Sequence, residues 1–161
     1  MHYRPLPPIP ETAAAQTDLR FPFNIRRGVG LWKLAFLDDS PAITIADASP
    51  EVLRGQYLSE GPGHCGECHT PRNFAGAVDT SRWLAGAPNP EGKGRIPNIT
   101  PGGPVGDWSL ADMVYFYQTG FDPDFDAVGG SMVDVQENLA MLPDDDLHAI
   151  AAYLAAAAAT G

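Results

Sequence analysis

One stretch of the 161-residue chain has a recognisable chemical pattern: Cys65-Gly66-Glu67-Cys68-His69. Two cysteines three positions apart, with a histidine directly after the second, form the attachment pattern of a c-type haem. Each thiol adds to one of the two vinyl groups of the porphyrin, so the thiols must lie about one helical turn apart. The histidine that follows is then brought under the iron. The pattern predicts a covalent haem held through Cys65 and Cys68, with His69 as the proximal iron ligand.

Two other uses of paired cysteines fit this chain less well. A structural zinc site needs a second Cys or His pair at ligand spacing, but the chain has only two cysteines, and no further histidine pair follows them. A thioredoxin-like dithiol lies between a strand and a helix. Here the motif is followed by Thr70-Pro71-Arg72-Asn73, which opens a loop. The haem interpretation is therefore preferred.

Length and composition limit the possible folds and partners. The length suits one domain, and 17 glycines and 16 prolines suggest long irregular segments between few helices. The formal net charge of -10 argues against binding nucleic acid or anionic lipid through a basic face. It suits docking to a positively charged partner, and it serves solubility equally well. We expect residues 1–20 to form a Pro-rich arm or linker and residues 21–161 to form a single-haem domain.

Haem attachment of this type implies export of the chain. Both cysteines are used by the haem, so no disulfide remains to indicate the compartment. No signal peptide is visible in Met1-His2-Tyr3-Arg4-Pro5, and no apolar run reaches membrane-spanning length. We therefore expect either that a signal was removed or that the chain is cut from a longer precursor.

The predicted secondary structure is all-α with long irregular loops. Cap residues and apolar spacing predict helices at about 24–38, 50–60, 109–119, 133–139 and from 143 onwards. In the first helix, Trp32 and Phe36 are expected to pack in the core. In the second helix, Val52, Leu53 and Tyr57 are expected to be buried.

The segment from Thr70 to Asp107 is rich in Gly, Pro and Asn, and loops of this length usually have a function. We expect it to wrap the edges of the haem, with Trp83 and Leu84 as apolar contacts. Arg72 and Arg95 are candidates for neutralising the haem propionates through charge-assisted hydrogen bonds. Each arginine is equally well interpreted as a solvated surface residue.

The occupant of the sixth coordination position distinguishes an electron carrier from a protein with an open site. Met113 lies on a predicted helix face and Met141 just before the last helix, where both look like packing residues. Met132 follows a glycine-rich loop, 63 residues after His69. A loop can bring this thioether across the haem plane, so Met132 is predicted as the sixth ligand.

The sequence does not exclude other occupants of the sixth position. His64 directly precedes the motif and is expected to be an ordinary loop histidine, while His148 is expected to be exposed on the last helix. An open sixth position would instead suit a haem enzyme, such as a peroxidase, or a ligand-binding sensor. Electron transfer is the preferred function, and these two are the alternatives.

Several short phrases resemble one family, the cytochrome c subunits of membrane-bound alcohol, gluconate and related dehydrogenases, whose haem domains are class I c-type cytochromes. The resemblance covers roughly residues 20–155. The phrases are Arg54-Gly55-Gln56-Tyr57-Leu58, Gly61-Pro62-Gly63-His64-Cys65, His69-Thr70-Pro71-Arg72-Asn73, Pro97-Asn98-Ile99-Thr100, Asp107-Trp108-Ser109 and Asp146-Leu147-His148-Ala149-Ile150.

The resemblance implies a class I cytochrome c fold, in which the N-terminal and C-terminal helices cross at a glycine. Gly55 and Tyr153 match the positions of that contact. It also implies that the backbone carbonyl of Pro71 holds the proximal imidazole. Arg72 and Asn98, which lie within the matching phrases, complete the candidates for cofactor binding.

The resemblance implies His69 and Met132 as axial ligands, with Cys65 and Cys68 as thioether anchors. The implied function is periplasmic electron transfer from a flavin- or quinone-cofactor dehydrogenase towards the respiratory chain, not catalysis by this chain. The expected partners are a dehydrogenase as donor and an oxidase or another cytochrome as acceptor. Members of the family carry three haem domains and a membrane anchor. This chain has one haem motif, so it is expected to be an excised domain or a free single-haem carrier.

Overall fold

A computed structural model of the chain describes residues 19–90 and 92–157. The chain divides into two compact units after Asp39. All but the last two residues of the expected Pro-rich arm at 1–20 lie outside the described residues. In the described part of the chain, no helix is long and apolar enough to cross a membrane.

The first unit contains helix α1, which spans Arg26–Phe36. It begins after Ile25, slightly later than predicted. None of its residues is buried, and the side chains of Trp32 and Phe36 are 36% and 40% exposed. Their rings contact each other, with centroids 5.6 Å apart, as expected for aromatic residues four apart on a helix. The prediction that these two residues pack in the core is therefore wrong.

The second unit is mostly helical, which confirms the predicted all-α class. Its helices are α2 (Pro50–Glu60), α3 (Gly66–His69), α4 (Leu110–Thr119), α5 (Met132–Leu139) and α6 (Asp144–Ala156). Two antiparallel two-residue strands, β1 (Ala87–Pro88) and β2 (Arg95–Ile96), were not predicted. Short 3₁₀ helices at Thr80–Arg82 and Pro104–Asp107 interrupt the long loop.

Helix α2 begins where its sequence predicts. The Ser49 side chain accepts a hydrogen bond from the Val52 backbone N–H, and Pro50 occupies the first helical position. The predicted buried face is wrong in part, because Leu53 and Tyr57 are 53% and 62% exposed. The buried residues of α2 are Gly55, Gln56, Leu58 and Ser59.

The crossing of α2 and α6 determines which face of α2 is buried. A Cβ added to Gly55 would lie 1.8 Å from the backbone oxygen of Ala149 and 2.8 Å from the Cβ of Tyr153. Only glycine lets the two backbones approach this closely. The predicted helix crossing at Gly55 and Tyr153 is thus confirmed, and it turns Leu53 and Tyr57 away from the core.

Helices α4 and α6 also begin where their capping and charged residues predict. Ser109 and Asp112 form a reciprocal capping box at the start of α4, and Gly120 ends it with a φ of 77°. Three aspartates occupy the first turn of α6, where the helix dipole favours negative charge. The core of this unit is built from Ile43, Leu58, Trp83, Leu84, Met113, Val114, Tyr117, Leu147, Ile150, Ala151, Tyr153, Leu154 and Ala157.

An ion pair joins α2 to α6 beside their crossing. The Arg54 Nε and Nη2 atoms donate to the two carboxylate oxygens of Asp146 at 2.8 and 2.9 Å. The hydrogen bonds from Arg54 hold the pKa of the Asp146 carboxyl below its ordinary value. A carboxyl whose pKa is lower in the folded state adds stability above its unfolded pKa, and this stability is lost as pH falls through the folded pKa.

We expect Arg54→Met to destabilise the protein at pH 7 and to have less effect once the pH falls below the ordinary Asp pKa of about 3.9. Urea unfolding at both pH values measures this difference. Arg82→Met is the matched control, because Arg82 pairs with Asp79 only three residues away in the same short loop. An equal, pH-independent loss in both variants would contradict the expectation.

Candidate functional site

The two cysteines lie at the start of a single helical turn. Cys65 precedes α3 and Cys68 lies within it, and the backbone N–H of His69 donates to the carbonyl of Cys65 at 3.0 Å. Both thiols are free; Cys65 is half-buried and Cys68 is exposed. Burial raises the pKa of the Cys65 thiol. The turn places the thiols about one helical turn apart, as the attachment pattern requires.

The imidazole of His69 is buried and oriented by one hydrogen bond. Its Nδ1 lies 2.8 Å from the backbone oxygen of Pro97, and the side chain is 8% exposed. A carbonyl only accepts, so Nδ1 carries the proton and Nε2 is left as the nitrogen that can bind a metal. Burial lowers the pKa of His69, although the bond to Pro97 acts in the opposite direction. The ring is therefore suited to a neutral, metal-binding state.

The carbonyl that holds this imidazole is not the one implied by the family resemblance. The Pro71 carbonyl instead accepts from the backbone N–H of Asp79 at 2.9 Å. The Pro71 carbonyl thus closes its own loop by accepting from Asp79. The Pro97 carbonyl holds the His69 imidazole, which is the role that the resemblance implied for Pro71. Pro97 lies 28 residues beyond His69 along the chain, so local sequence around the motif gives no sign of the contact.

The loop after the motif returns to cover α3. The Leu84 backbone N–H donates to the Thr70 hydroxyl at 2.9 Å, and the Gly86 N–H donates to the carbonyl of His69 at 2.7 Å. Trp83 and Leu84 are 8% and 0% exposed, and their contact with the haem stays a prediction. A Cβ added to Gly66 would lie 2.0 Å from the Trp83 ring, so a larger residue at position 66 would displace this ring. The sequence pattern did not predict this contact between Gly66 and Trp83.

The two polar residues predicted to bind the cofactor, Arg72 and Asn98, form hydrogen bonds with other groups of the protein. The Arg72 guanidinium donates to the Glu67 carboxylate and, at 2.9 Å, to the carbonyl of Gly76. The Asn98 side-chain oxygen accepts from the backbone N–H and the hydroxyl of Thr100, both at 2.8 Å. Both residues therefore shape loops beside the attachment turn, and their contact with haem stays a prediction.

The methionines differ clearly in their surroundings. Met113 is 4% exposed within the core, as predicted. Met141 is 75% exposed, so its predicted packing role is wrong. Met132 is half-buried and is the first residue of α5, directly after the glycine-rich loop, whereas the sequence placed it on the loop itself.

The two alternative histidines are both exposed. His64 has a positive φ of 36° in the turn before Cys65, and His148 lies on the solvent side of α6 as predicted. Neither side chain shares the buried setting of His69.

Comparisons with known proteins find close relatives among cytochromes. The chain is 55% identical over 150 residues to a diheme cytochrome c-type protein of Cereibacter sphaeroides, across 92% of this chain and 49% of the relative. It is 39% identical over 147 residues to the fructose dehydrogenase cytochrome subunit of Gluconobacter japonicus, across 89% and 30% of the two chains. No protein-family model matches the chain. The chain is a c-type cytochrome.

This cytochrome resembles the cytochrome subunits of dehydrogenases more widely. It is 37% identical over 147 residues to the cytochrome c subunit of the quinone alcohol dehydrogenase of Gluconobacter oxydans, across 85% of this chain and 30% of the relative. The dehydrogenase relatives are named as cytochrome subunits, in keeping with the expectation of an electron-transfer protein in place of an enzyme, and the class I cytochrome c fold is confirmed. The cytochrome spans about half the length of the first relative and about a third of the others.

Proposed function

We propose that this cytochrome transfers electrons through one haem, attached covalently to Cys65 and Cys68 and ligated by His69 and Met132. The orientation of His69 supports this most directly. Because its Nδ1–H donates to Pro97, the ring presents an unprotonated Nε2 from a buried, fixed position. The two free thiols within one turn fit the attachment of haem c.

The residues of the chain hold the attachment turn and the proximal imidazole in place. Haem, when bound, supplies an iron that exchanges a single electron between Fe(III) and Fe(II). Pro97 and the turn at Cys65 fix the proximal imidazole, so little has to move when the charge changes. Trp83 and Leu84 supply apolar cover behind the attachment turn. These features suit electron transfer with little structural change.

The support for Met132 comes from the settings of the other methionines. The Met113 side chain is enclosed by core residues, and Met141 lies in water. Met132 is half-buried at the start of α5, where Gly130 adopts a φ of 63° just before it. A thioether ligand favours Fe(II) and raises the reduction potential, which is a property of carriers of the cytochrome c type.

We infer that the partners are a dehydrogenase as electron donor and an oxidase or another cytochrome as acceptor. The support is that the relatives are named as cytochrome subunits of fructose and alcohol dehydrogenases. The proposed compartment is the periplasm, with electrons passing towards the respiratory chain. The net charge of -10 suits docking to a positively charged surface of such partners.

The proposed cofactor content can be tested by intact mass after expression with export and haem-attachment machinery. We expect the mass of the chain plus one haem, retained after denaturation. A paired Cys65→Ser and Cys68→Ser variant should lose the covalent haem, whereas Ser81→Ala, at an exposed position where the hydroxyl donates to Asp79, should keep it. A wild-type chain without covalent haem would contradict the proposal, and a second haem would contradict the stated number.

A further inference from the structure

A polar network lies where α2 ends against α6. Glu60 accepts three hydrogen bonds: its Oε1 from the Tyr153 hydroxyl at 2.7 Å and from the Gln56 amide at 2.9 Å, and its Oε2 from the Ala42 backbone N–H at 2.8 Å. The Trp83 indole N–H in turn donates to the Tyr153 hydroxyl at 2.8 Å. The network is largely enclosed, since Tyr153 is 0% and Trp83 8% exposed.

The direction of each hydrogen bond in this network is fixed. An indole N–H only donates, so the Tyr153 oxygen accepts from Trp83 and directs its own proton to Glu60. Glu60 acts as acceptor in all three of its contacts, which is the role of an ionised carboxylate. The network therefore holds a fixed negative charge in a partly buried place.

The same network touches the haem-attachment turn. The Trp83 ring fills the space beside Gly66, where an added Cβ would lie 2.0 Å from it. The backbone N–H of Cys65 donates to the carbonyl of Ser59, the residue before Glu60, at 2.9 Å. The carboxylate and the first thioether anchor thus belong to one packed cluster, in which solvent screening is weaker than at the surface.

Local helix stability does not explain a carboxylate at this position. Glu60 is the last residue of α2, and the negative end of the helix dipole disfavours an acid there. Glu51, in contrast, lies in the first turn of the same helix, where the dipole favours it. The three donors to Glu60, and not the helix, account for a carboxylate at this position.

We propose that Glu60 is a positioning residue whose fixed charge, held by Tyr153 and coupled through Trp83 to the attachment turn, lowers the reduction potential of the haem. The inference rests on the proposed function, because it requires a haem at Cys65–His69. A negative charge in the cluster stabilises Fe(III) relative to Fe(II) by Coulomb attraction. The covalent bonds of the site are unchanged, and the only redox event is the addition of one electron to the iron.

The test compares midpoint potentials of the haem-loaded protein with Glu60→Gln and Glu51→Gln. Each substitution removes one negative charge from α2. We expect Glu60→Gln to raise the potential, so that at a fixed ambient potential the ratio of reduced to oxidised haem rises roughly threefold or more. Glu51→Gln, at an exposed position in the first turn, should change this ratio much less. Equal shifts in the two variants would overturn the proposal.

Tyr153→Phe separates the effect of charge from that of packing. It removes a donor that partly screens the charge of Glu60 but leaves the carboxylate in place, so the potential should fall, opposite to the change in Glu60→Gln. A rise or no change in Tyr153→Phe would overturn the proposal even if Glu60→Gln failed to fold. The free energy of unfolding of Glu60→Gln, measured in both oxidation states, gives a second readout. The loss of stability relative to the wild type should be greater in the oxidised protein. A wild-type chain without haem would contradict the proposed function instead.

Discussion

Replacement of Gly55 by valine is expected to destabilise the protein by about 3 kcal/mol or more, the upper range for overpacking a tight contact. The first atom of the new side chain would lie 1.8 Å from the Ala149 backbone oxygen, which belongs to α6 and has no rotamer to change. The helices must separate, and the core between them then loses contacts. Denaturant unfolding monitored by far-UV circular dichroism measures the loss.

Gly28→Val is the matched control for this substitution. Gly28 also lies inside a helix, α1, but a Cβ added there meets nothing within 4 Å. Valine has a slightly higher helix propensity than glycine, so we expect no loss of global stability. If Gly55→Val and Gly28→Val unfold at the same denaturant concentration, the close approach of α2 and α6 is not what stabilises the fold.

Replacement of Met132 by alanine is expected to open the sixth coordination position. The oxidised wild-type protein should show the weak near-infrared band of sulfur-to-iron ligation, and the reduced protein should bind carbon monoxide slowly and poorly. In Met132→Ala the band should disappear and carbon monoxide should bind rapidly and almost stoichiometrically. The midpoint potential should fall, because the thioether no longer favours Fe(II).

The other methionines provide controls that separate ligation from packing. Met141→Ala, at an exposed position, should keep both the band and the stability. Met113→Ala should lose about 2–5 kcal/mol of stability, as other buried methionine truncations do, yet keep the band. If the band survives in Met132→Ala, another residue is the ligand. Rapid carbon monoxide binding by the wild type would instead favour a haem enzyme or sensor with an open position.

The parts of this cytochrome that depend on neighbouring residues were predictable from its sequence. The starts of α2 and α4 follow from Ser49 and Ser109, because capping side chains bond to N–H groups within three residues. The thiols and His69 form one turn because they lie within five consecutive positions. The crossing at Gly55 came instead from the family resemblance.

The parts that depend on distant segments were predicted incorrectly or missed. Spacing within α2 favours burial of Leu53 and Tyr57, but contact with α6 selects the face that contains Gly55. The acceptor for His69 is Pro97, which reaches it only after the long loop has folded back. A sequence pattern cannot distinguish Pro71 from Pro97 here, since either carbonyl is chemically suitable.

The pairing of α2 with α6 also affects the order of events during folding. Arg54 and Asp146, which meet beside the crossing, are 92 positions apart, so the main contact of the core joins nearly opposite ends of the unit. Closing so large a loop costs entropy, and chains dominated by such contacts fold slowly. The core cannot close before α6 packs against α2. Until then, Cys65 and Cys68 lie on an open chain, where both sulfur atoms are accessible to the proposed haem attachment.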